Sequence, residues 1–156
     1  MKLTEQRFNE LSDAEGFYVA YPSGLGKSWN DFREDSKAYA GRNGVDDVGF
    51  ISFLIDSAVS ELNADPGRIY LTGISNGALM THRASCQLSQ KIAAIACVAG
   101  NFPYGMASVL SPSRPMPVLL INGTDDPLVP YNGGNITFGA LVRGKVLSVA
   151  DTVSFW

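Results

Sequence analysis

Five residues near the middle of the chain, Gly73-Ile74-Ser75-Asn76-Gly77, form a G-x-S-x-G pattern that can present a serine hydroxyl for nucleophilic attack. Glycines two positions before and after the serine leave room for a sharp turn, where a β-carbon is expected to collide with neighbouring backbone. The backbone N–H of Asn76 is then placed to bind the oxyanion that forms on an attacked carbonyl. Since the chain has 16 glycines, the bare pattern also arises by chance, and the flanking elements must decide.

The segments on either side of this motif are predicted to be a strand and a helix. Residues 68–72 (RIYLT) form a short apolar run typical of a strand, and residues 75–88 carry apolar side chains at helical spacing. A strand before the serine and a helix after it are the context that a catalytic turn requires. The sequence therefore favours Ser75 as a nucleophile.

An acidic loop follows the predicted strand at residues 117–121 and contains Asp126. In a Ser…Asp…His triad on this kind of fold, the acid comes after the serine, on a loop past a strand that neighbours the nucleophile strand. Asp126 fits that order. The alternative is a turn whose Asp side chains only hold the loop, because Asp and Pro are common turn formers.

A base for the serine is missing from the sequence. The only histidine is His82, seven residues after Ser75 on the same predicted helix. Seven helical residues rise about 10 Å, whereas a general base must lie within ~3 Å of its proton donor. His82 is therefore predicted to be a packing or surface residue.

Apolar periodicity along the chain switches between helical and strand-like, which favours alternating α and β layers in a single domain over residues 1–156. Further helices are predicted at residues 4–14 and from Asp46 and Asp47 to the stop at 65–67. Further strands are predicted at residues 17–21 (FYVAY), 92–98 and 117–121. Because the strands are short and apolar on both faces, we expect a mostly parallel sheet covered by helices on both sides.

Composition excludes several classes of function. At 46% hydrophobic and 17% charged residues the chain is typical of a globular domain, and it has neither a membrane-length apolar run nor a signal-like start. The net charge of -3 and the scattered basic residues argue against nucleic acid. Cys86 and Cys97 lack metal-ligand spacing, so buried free thiols are favoured and a single disulfide stays open.

Together these residues resemble the poly(3-hydroxybutyrate) depolymerase and feruloyl/acetylxylan esterase family of α/β-hydrolases, over most of the chain. The resemblance is carried by Trp29-Asn30-Asp31, by residues 45–50 and 68–77, and by Asn122-Gly123-Thr124 through Tyr131. It implies serine carboxylic-ester hydrolysis without a metal or organic cofactor, with Ser75 as nucleophile and Asp126 as the acid. The implied substrates are small-molecule or polymeric esters of hydroxyacids, plant-wall phenolic acids or acetyl groups.

The family pattern extends beyond this chain at both ends. Family members begin with further strands, one of which ends in a His-Gly-Gly loop with a second oxyanion donor, and they end with a segment carrying the catalytic histidine. Neither segment is present, and residues 151–156 look like the helix before the histidine loop. The expected fold is therefore a three-layer α/β-hydrolase-like core, truncated at both ends.

Two aromatic residues, Trp29 and Tyr131, are placed on loops at the carboxyl side of their strands, where ligands of open α/β sheets lie. We expect them to line the substrate cleft, unless both only cover the edge of the core. Without a base, the alternative to an esterase is an inactive remnant that binds ligands or a partner. A serine peptidase would share the turn, but nothing here resembles peptidase sequence.

A vacancy in the sheet is expected from the resemblance, because the strand that precedes the first helix normally lies between residues 17–21 and 68–72. Unpaired strand edges are templates for pairing with other chains. Either residues 17–21 pair directly with residues 68–72, or another chain fills the gap and gives a homo-oligomer.

Overall fold

The computed structural model describes residues 2–34 and 36–156, with side chains described from Arg7 onward. Its α-helices are α1 Lys2–Glu15, α2 Tyr39–Arg42, α3 Asp47–Leu62, α4 Asn76–Gln87 and α5 Val149–Phe155. Its strands are β1 Tyr70–Ile74, β2 Ala94–Val98, β3 Val118–Ile121, β4 Gly134–Phe138 and β5 Leu141–Val146. Short 3-10 turns lie at Leu25–Lys27, Pro66–Arg68 and Tyr104–Ser108.

The centre of the fold is a three-stranded parallel sheet in the order β1-β2-β3. Helices α3 and α4 pack on one face of this sheet, where their apolar side chains contact each other and the apolar side chains of the strands. The predicted helix start is confirmed at Asp46, whose side chain accepts a hydrogen bond of 2.9 Å from the N–H of Gly49. These elements confirm the α/β-hydrolase-like fold class, and they place the carboxyl ends of all three strands at one edge.

The opposite face of the sheet is exposed in the described part of the chain, so the prediction that helices cover both faces is wrong here. Tyr70, Ile74, Leu119 and Ile121 are between 50% and 67% exposed. Helix α1 does not cover them, since its own Phe8 and Leu11 are also exposed. An uncovered apolar face is unusual for a parallel sheet.

Residues 17–21 are not a strand, which contradicts the prediction. They follow α1, which ends at Glu15, and the turn residue Gly16 between them has a φ of 70°. Phe17, Tyr18 and Tyr21 are exposed, so the segment is not held in place by burial of these side chains. The sheet order β1-β2-β3 also contains no strand that pairs with it. A strand needs a paired ladder for its backbone groups. Direct pairing of residues 17–21 with β1 is therefore excluded as well.

An antiparallel hairpin, β4–β5, follows the acidic loop and was not predicted. Phe138 pairs with Leu141, so residues 139–140 form the turn, and Gly139 there has a φ of 60°. The hairpin joins the rest of the fold through a bridge between Pro103 and Val146. The sequence does not predict these two strands because glycines interrupt the alternation of apolar and polar residues along them.

The two cysteines are buried free thiols, as favoured, and a disulfide is excluded. Burial raises the pKa of Cys86 and of Cys97 to about 12. Within residues 2–34 and 36–156, no helix is both long and apolar enough to span a bilayer.

Candidate active site

Ser75 lies in the junction between β1 and α4, and its backbone is in a conformation rare for any residue but glycine. Its φ is 54° and its ψ is -122°. Its N–H donates to the carbonyl oxygen of Val98 at 2.9 Å, and its own carbonyl accepts from the N–H of Ala78 at 2.9 Å. The β2 ladder and the first turn of α4 therefore both impose this conformation, and the side chain stays exposed.

The two glycines of the motif are not equivalent. A β-carbon at Gly73 would lie 2.3 Å from the backbone carbon and oxygen of Gly77, which is a severe clash. A β-carbon at Gly77 would meet nothing within 4 Å. The expectation that both positions exclude a side chain is confirmed for Gly73 and wrong for Gly77. The close approach is that of the α4 backbone to Gly73, so only the Gly73 position lacks space.

Asn76 is the first residue of α4, so its backbone N–H has no acceptor within the helix and points out of the helix start. Its side chain holds the loop that carries Trp29. The Asn76 Oδ1 accepts from the Trp29 N–H at 2.7 Å, and its Nδ2 donates to the Trp29 carbonyl at 3.1 Å. The structure thus brings Trp29 to the serine turn, 47 residues away in sequence.

The same Nδ2 donates to Asp31 Oδ2 at 2.5 Å. The Asp31 side chain is fully buried and forms an ion pair of 2.7 Å with Arg33. No role was assigned to Asp31 from the sequence, although it lies in the Trp29-Asn30-Asp31 motif. Nothing local in the sequence shows that it contacts a residue 45 positions away.

Two further charged residues anchor this loop at Asn30. Its N–H donates to Asp47 Oδ2 at 2.6 Å, and its carbonyl accepts from Arg83 at 2.6 Å. Burial raises the pKa of Asp47, partly offset by the hydrogen bond from Asn30 and by the charge of Arg83. Burial also lowers the pKa of Arg83. The loop is therefore fixed from both α3 and α4.

Asp126 lies in the loop after β3, at the same edge of the sheet as Ser75. The sheet order places β2 between β1 and β3, so the expectation that the acid strand neighbours the serine strand is wrong. Asp126 Oδ1 accepts from the N–H groups of Leu128 and Val129 at 2.8 and 2.9 Å. This is the loop-holding arrangement considered above, and it uses one of the two carboxylate oxygens.

The acidic loop is attached to the loop after β2 through two asparagines. Asn122 donates to Asn101 Oδ1 at 2.8 Å, and Asn101 donates to the Pro130 carbonyl at 3.1 Å. Tyr131 follows directly, with its side chain 36% exposed. Among the described side chains, no hydrogen bond joins Ser75 to Asp126. Asp126 and Tyr131 thus lie on the loop after β3, at the same edge of the sheet as Ser75, and no described hydrogen bond joins either side chain to the serine.

His82 is fully buried, and both of its ring nitrogens are engaged away from Ser75. Nε2 lies 3.2 Å from the carbonyl oxygen of Gly100, and Nδ1 lies 3.1 Å from the indole Nε1 of Trp156. Burial lowers the pKa of His82 to about 4. This placement agrees with the predicted packing role. Within the described residues, no group of three His, Cys, Asp or Glu side chains is arranged to hold a metal ion.

Comparison with known proteins gives one family and several relatives. The family described as phospholipase/carboxylesterase matches residues 18–143. A bifunctional acetylxylan esterase/xylanase of Neocallimastix patriciarum is 35% identical over 78% of this chain and 16% of its own length. A putative esterase of Nocardia uniformis subsp. tsuyamanensis is 34% identical over 80% of this chain and 36% of its own length. Feruloyl esterase B of Piromyces equi is 34% identical over 86% of this chain and 24% of its own length.

The chain thus spans about a sixth to a third of the length of these three relatives. No solved structure matches it. The family match covers β1, the Ser75 turn, α4 and the acidic loop, which are the elements that carry the candidate site. By this match and by its parallel sheet, the chain belongs to the phospholipase/carboxylesterase family of α/β-hydrolases.

Proposed function

We propose that the chain carries the nucleophile part of a serine carboxylic-ester hydrolase that acts through an acyl-enzyme on Ser75. The observation that carries this proposal is the backbone of Ser75, with its φ of 54° between β1 and α4. Strain of this kind persists only where the surrounding structure imposes it, and it is concentrated at functional sites. It supports the reading of residues 73–77 as a nucleophile elbow.

The proposed reaction starts with attack of the Ser75 hydroxyl oxygen on the ester carbonyl carbon. The backbone N–H of Asn76 donates a hydrogen bond to the oxyanion, aided by the positive end of the α4 dipole. The alcohol leaves with the proton that the Ser75 hydroxyl loses on attack. Water then attacks the acyl-enzyme, which releases the acid and returns a proton to Ser75. Asp126 is proposed as the acid of the triad, whose free carboxylate oxygen would orient a histidine base. His82 does not supply that base, because both of its ring nitrogens are engaged by Gly100 and Trp156.

The proposed substrate class is supported by two relatives, which are described as a bifunctional acetylxylan esterase/xylanase and a feruloyl esterase. We infer acetyl or feruloyl esters, with hydroxyacid polyesters as the further class that the family resemblance implies. Trp29 and Tyr131 are proposed to contact the substrate, because Trp29 is bonded to Asn76 and both lie on loops at the Ser75 edge of the sheet.

A second candidate function is a domain of this family that binds an ester ligand or a partner without turning it over. The observation that favours it is His82, the only histidine, which is buried and bonded to Gly100 and Trp156. Members of a triad act as a unit, so loss of the base costs about as much as loss of the nucleophile.

The test is hydrolysis of p-nitrophenyl acetate by the purified 156-residue protein, together with labelling of Ser75 by a fluorophosphonate and its localisation by mass spectrometry. Ser75→Ala should abolish both signals, and Ser154→Ala, which changes an exposed serine on α5, should leave both unchanged. Turnover orders of magnitude below that of a complete esterase, yet dependent on Ser75, supports the first candidate. Retained signal in Ser75→Ala refutes it, and labelling without turnover favours the second.

A further inference from the structure

We propose that Asp31 is a positioning residue for the backbone N–H of Asn76: its buried carboxylate fixes the Asn76 side chain and, through it, the start of α4. The inference rests on the proposed role of that N–H as oxyanion donor. Asp31 is a buried acidic residue outside the loop that contains Asp126, and the proposal gives it a role in the site. Asp31 itself does not touch the reacting atoms.

The first support is the way in which the Asn76 side chain is held. Its Oδ1 accepts from the Trp29 N–H, and its Nδ2 donates to the Trp29 carbonyl and to Asp31 Oδ2. Both ends of the amide are therefore engaged by a segment distant in sequence. Such a clamp fixes the side-chain torsions of Asn76 and restrains its backbone, which the first turn of a helix alone does not do.

The second support is the environment of the Asp31 carboxylate. The Asp31 side chain is fully buried. Its Oδ2 accepts a hydrogen bond of 2.9 Å from Arg33 Nε in addition to the one from Asn76 Nδ2. Burying such a charge is costly unless it is paired and hydrogen-bonded. The ion pair with Arg33 compensates the buried carboxylate, and a charged acceptor forms a stronger hydrogen bond to Asn76 Nδ2 than a neutral one.

A third support is the anchoring of Arg33 on the far side. Its Nη1 donates to the carbonyl oxygen of Arg143 in β5 at 2.9 Å. A β-carbon at Gly144 would lie 2.9 Å from Arg33 Cβ, so the hairpin backbone approaches the arginine closely. Hydrogen bonds and an ion pair therefore connect β5 through Arg33 and Asp31 to Asn76. The position of the Asn76 side chain thus depends on strand β5 as well as on the loop that carries Trp29.

The consequence for chemistry is geometric. Ser75 is positioned by β2 through Val98, whereas the N–H of Asn76 is positioned by the loop through Asp31. A donor to a developing oxyanion acts only when it is preorganised, and a displacement of about 1 Å costs on the order of 100-fold in rate. Loss of the Asp31 charge should therefore lower the reactivity of Ser75 while the fold is kept.

The experiment compares Asp31→Asn with Asp47→Asn. Both replace a buried carboxylate that holds the same loop, but only Asp31 contacts Asn76. Two readouts are used: the second-order rate constant for labelling of Ser75 by a fluorophosphonate, and the backbone amide resonance of Asn76 in ¹H–¹⁵N spectra. We expect Asp31→Asn to lower the rate about 10- to 100-fold and to shift that resonance, with less than about a threefold effect from Asp47→Asn.

Asn76→Ala provides a second variant, because it removes the clamp and keeps the buried ion pair. It should reproduce the loss of rate even if Asp31→Asn fails to fold. Equal losses of labelling rate in the Asp31 and Asp47 variants would show that Asp31 only anchors the loop, and would overturn the proposal. An unchanged Asn76 resonance in a folded Asp31→Asn protein would also overturn it. If Ser75 of the unchanged protein does not label, the proposed function fails, and the resonance shift then decides the positioning role by itself.

Discussion

The indole N–H of Trp156 donates a hydrogen bond of 3.1 Å to His82 Nδ1, which fixes the protonation state of the buried histidine. Indole is only a donor, so Nδ1 must be the unprotonated nitrogen, and Nε2 carries the hydrogen that is donated to the Gly100 carbonyl. The ring also stacks on Trp156 and lies against Phe102. His82 therefore attaches α4 to the end of β2 and to α5 as a neutral residue.

This arrangement predicts a pH-dependent free energy of unfolding. The pKa of His82 is lowered from 6.5 to about 4 in the folded protein. Above pH 6.5 the ring is neutral in both states, and its contribution to stability is complete. As the pH falls, the unfolded chain takes up the proton first. Stability on the order of 3 kcal/mol should therefore be lost between about pH 6.5 and pH 4.

Urea unfolding at intervals between pH 7 and pH 4 measures this loss, with His82→Gln as the matched variant. Glutamine can donate to Gly100 and accept from Trp156, but it does not titrate. Contributions from carboxylates such as Asp47 are common to both proteins and cancel in the difference. An equally steep decline in His82→Gln would show that the histidine is not responsible.

The strongest local patterns in the sequence predicted the fold best. The Ser75 turn, the helix start at Asp46 and the three paired strands depend on glycine, on capping side chains and on apolar periodicity, which act over a few residues. Residues 17–21 have the composition of a strand but no neighbouring edge, and composition does not report whether a partner exists. The Asp31–Asn76 contact joins residues 45 positions apart, so no local pattern reveals it.

The difference in space around Gly73 and Gly77 gives a second prediction. Gly73→Ala would place its β-carbon against the backbone of Gly77, and should lower the free energy of unfolding by about 2 kcal/mol or more. Gly77→Ala adds a methyl group in open space within α4, where alanine is the better helix former by up to about 1 kcal/mol. Chemical denaturation of both proteins makes the comparison, and similar destabilisation by the two changes would contradict the geometry.

The proposed role of Asp126 predicts a loss of activity without a loss of structure. In Asp126→Asn the remaining side-chain oxygen can still accept from Leu128 and Val129, so the loop should keep its conformation. The charge that would orient a base is lost, and any esterase activity that depends on Ser75 should fall further. Asp125→Asn removes an equal charge from the neighbouring exposed residue and serves as the control. If thermal unfolding is unchanged and the two variants hydrolyse p-nitrophenyl acetate equally, Asp126 only holds the loop.

The exposed sheet leads to the last prediction. With the sheet order β1-β2-β3, β1 and β3 are both edge strands, and residues 17–21 do not pair with β1. The apolar side chains of Tyr70 and Leu119 add an uncovered face to these unpaired edges. Exposed edges with apolar side chains favour pairing between chains, and parallel sheets are rarely left bare. We therefore expect the isolated protein to self-associate through this sheet.

Light scattering coupled to size exclusion, over a range of protein concentrations, measures the association. Tyr70→Lys and Leu119→Lys should each shift the protein toward the monomer, because a lysine on the sheet face opposes burial of that face. Val153→Lys changes a comparably exposed apolar residue on α5 and should leave the association as it is. A protein that is monomeric at every concentration, or that responds equally to all three substitutions, would show that the exposed sheet does not drive self-association.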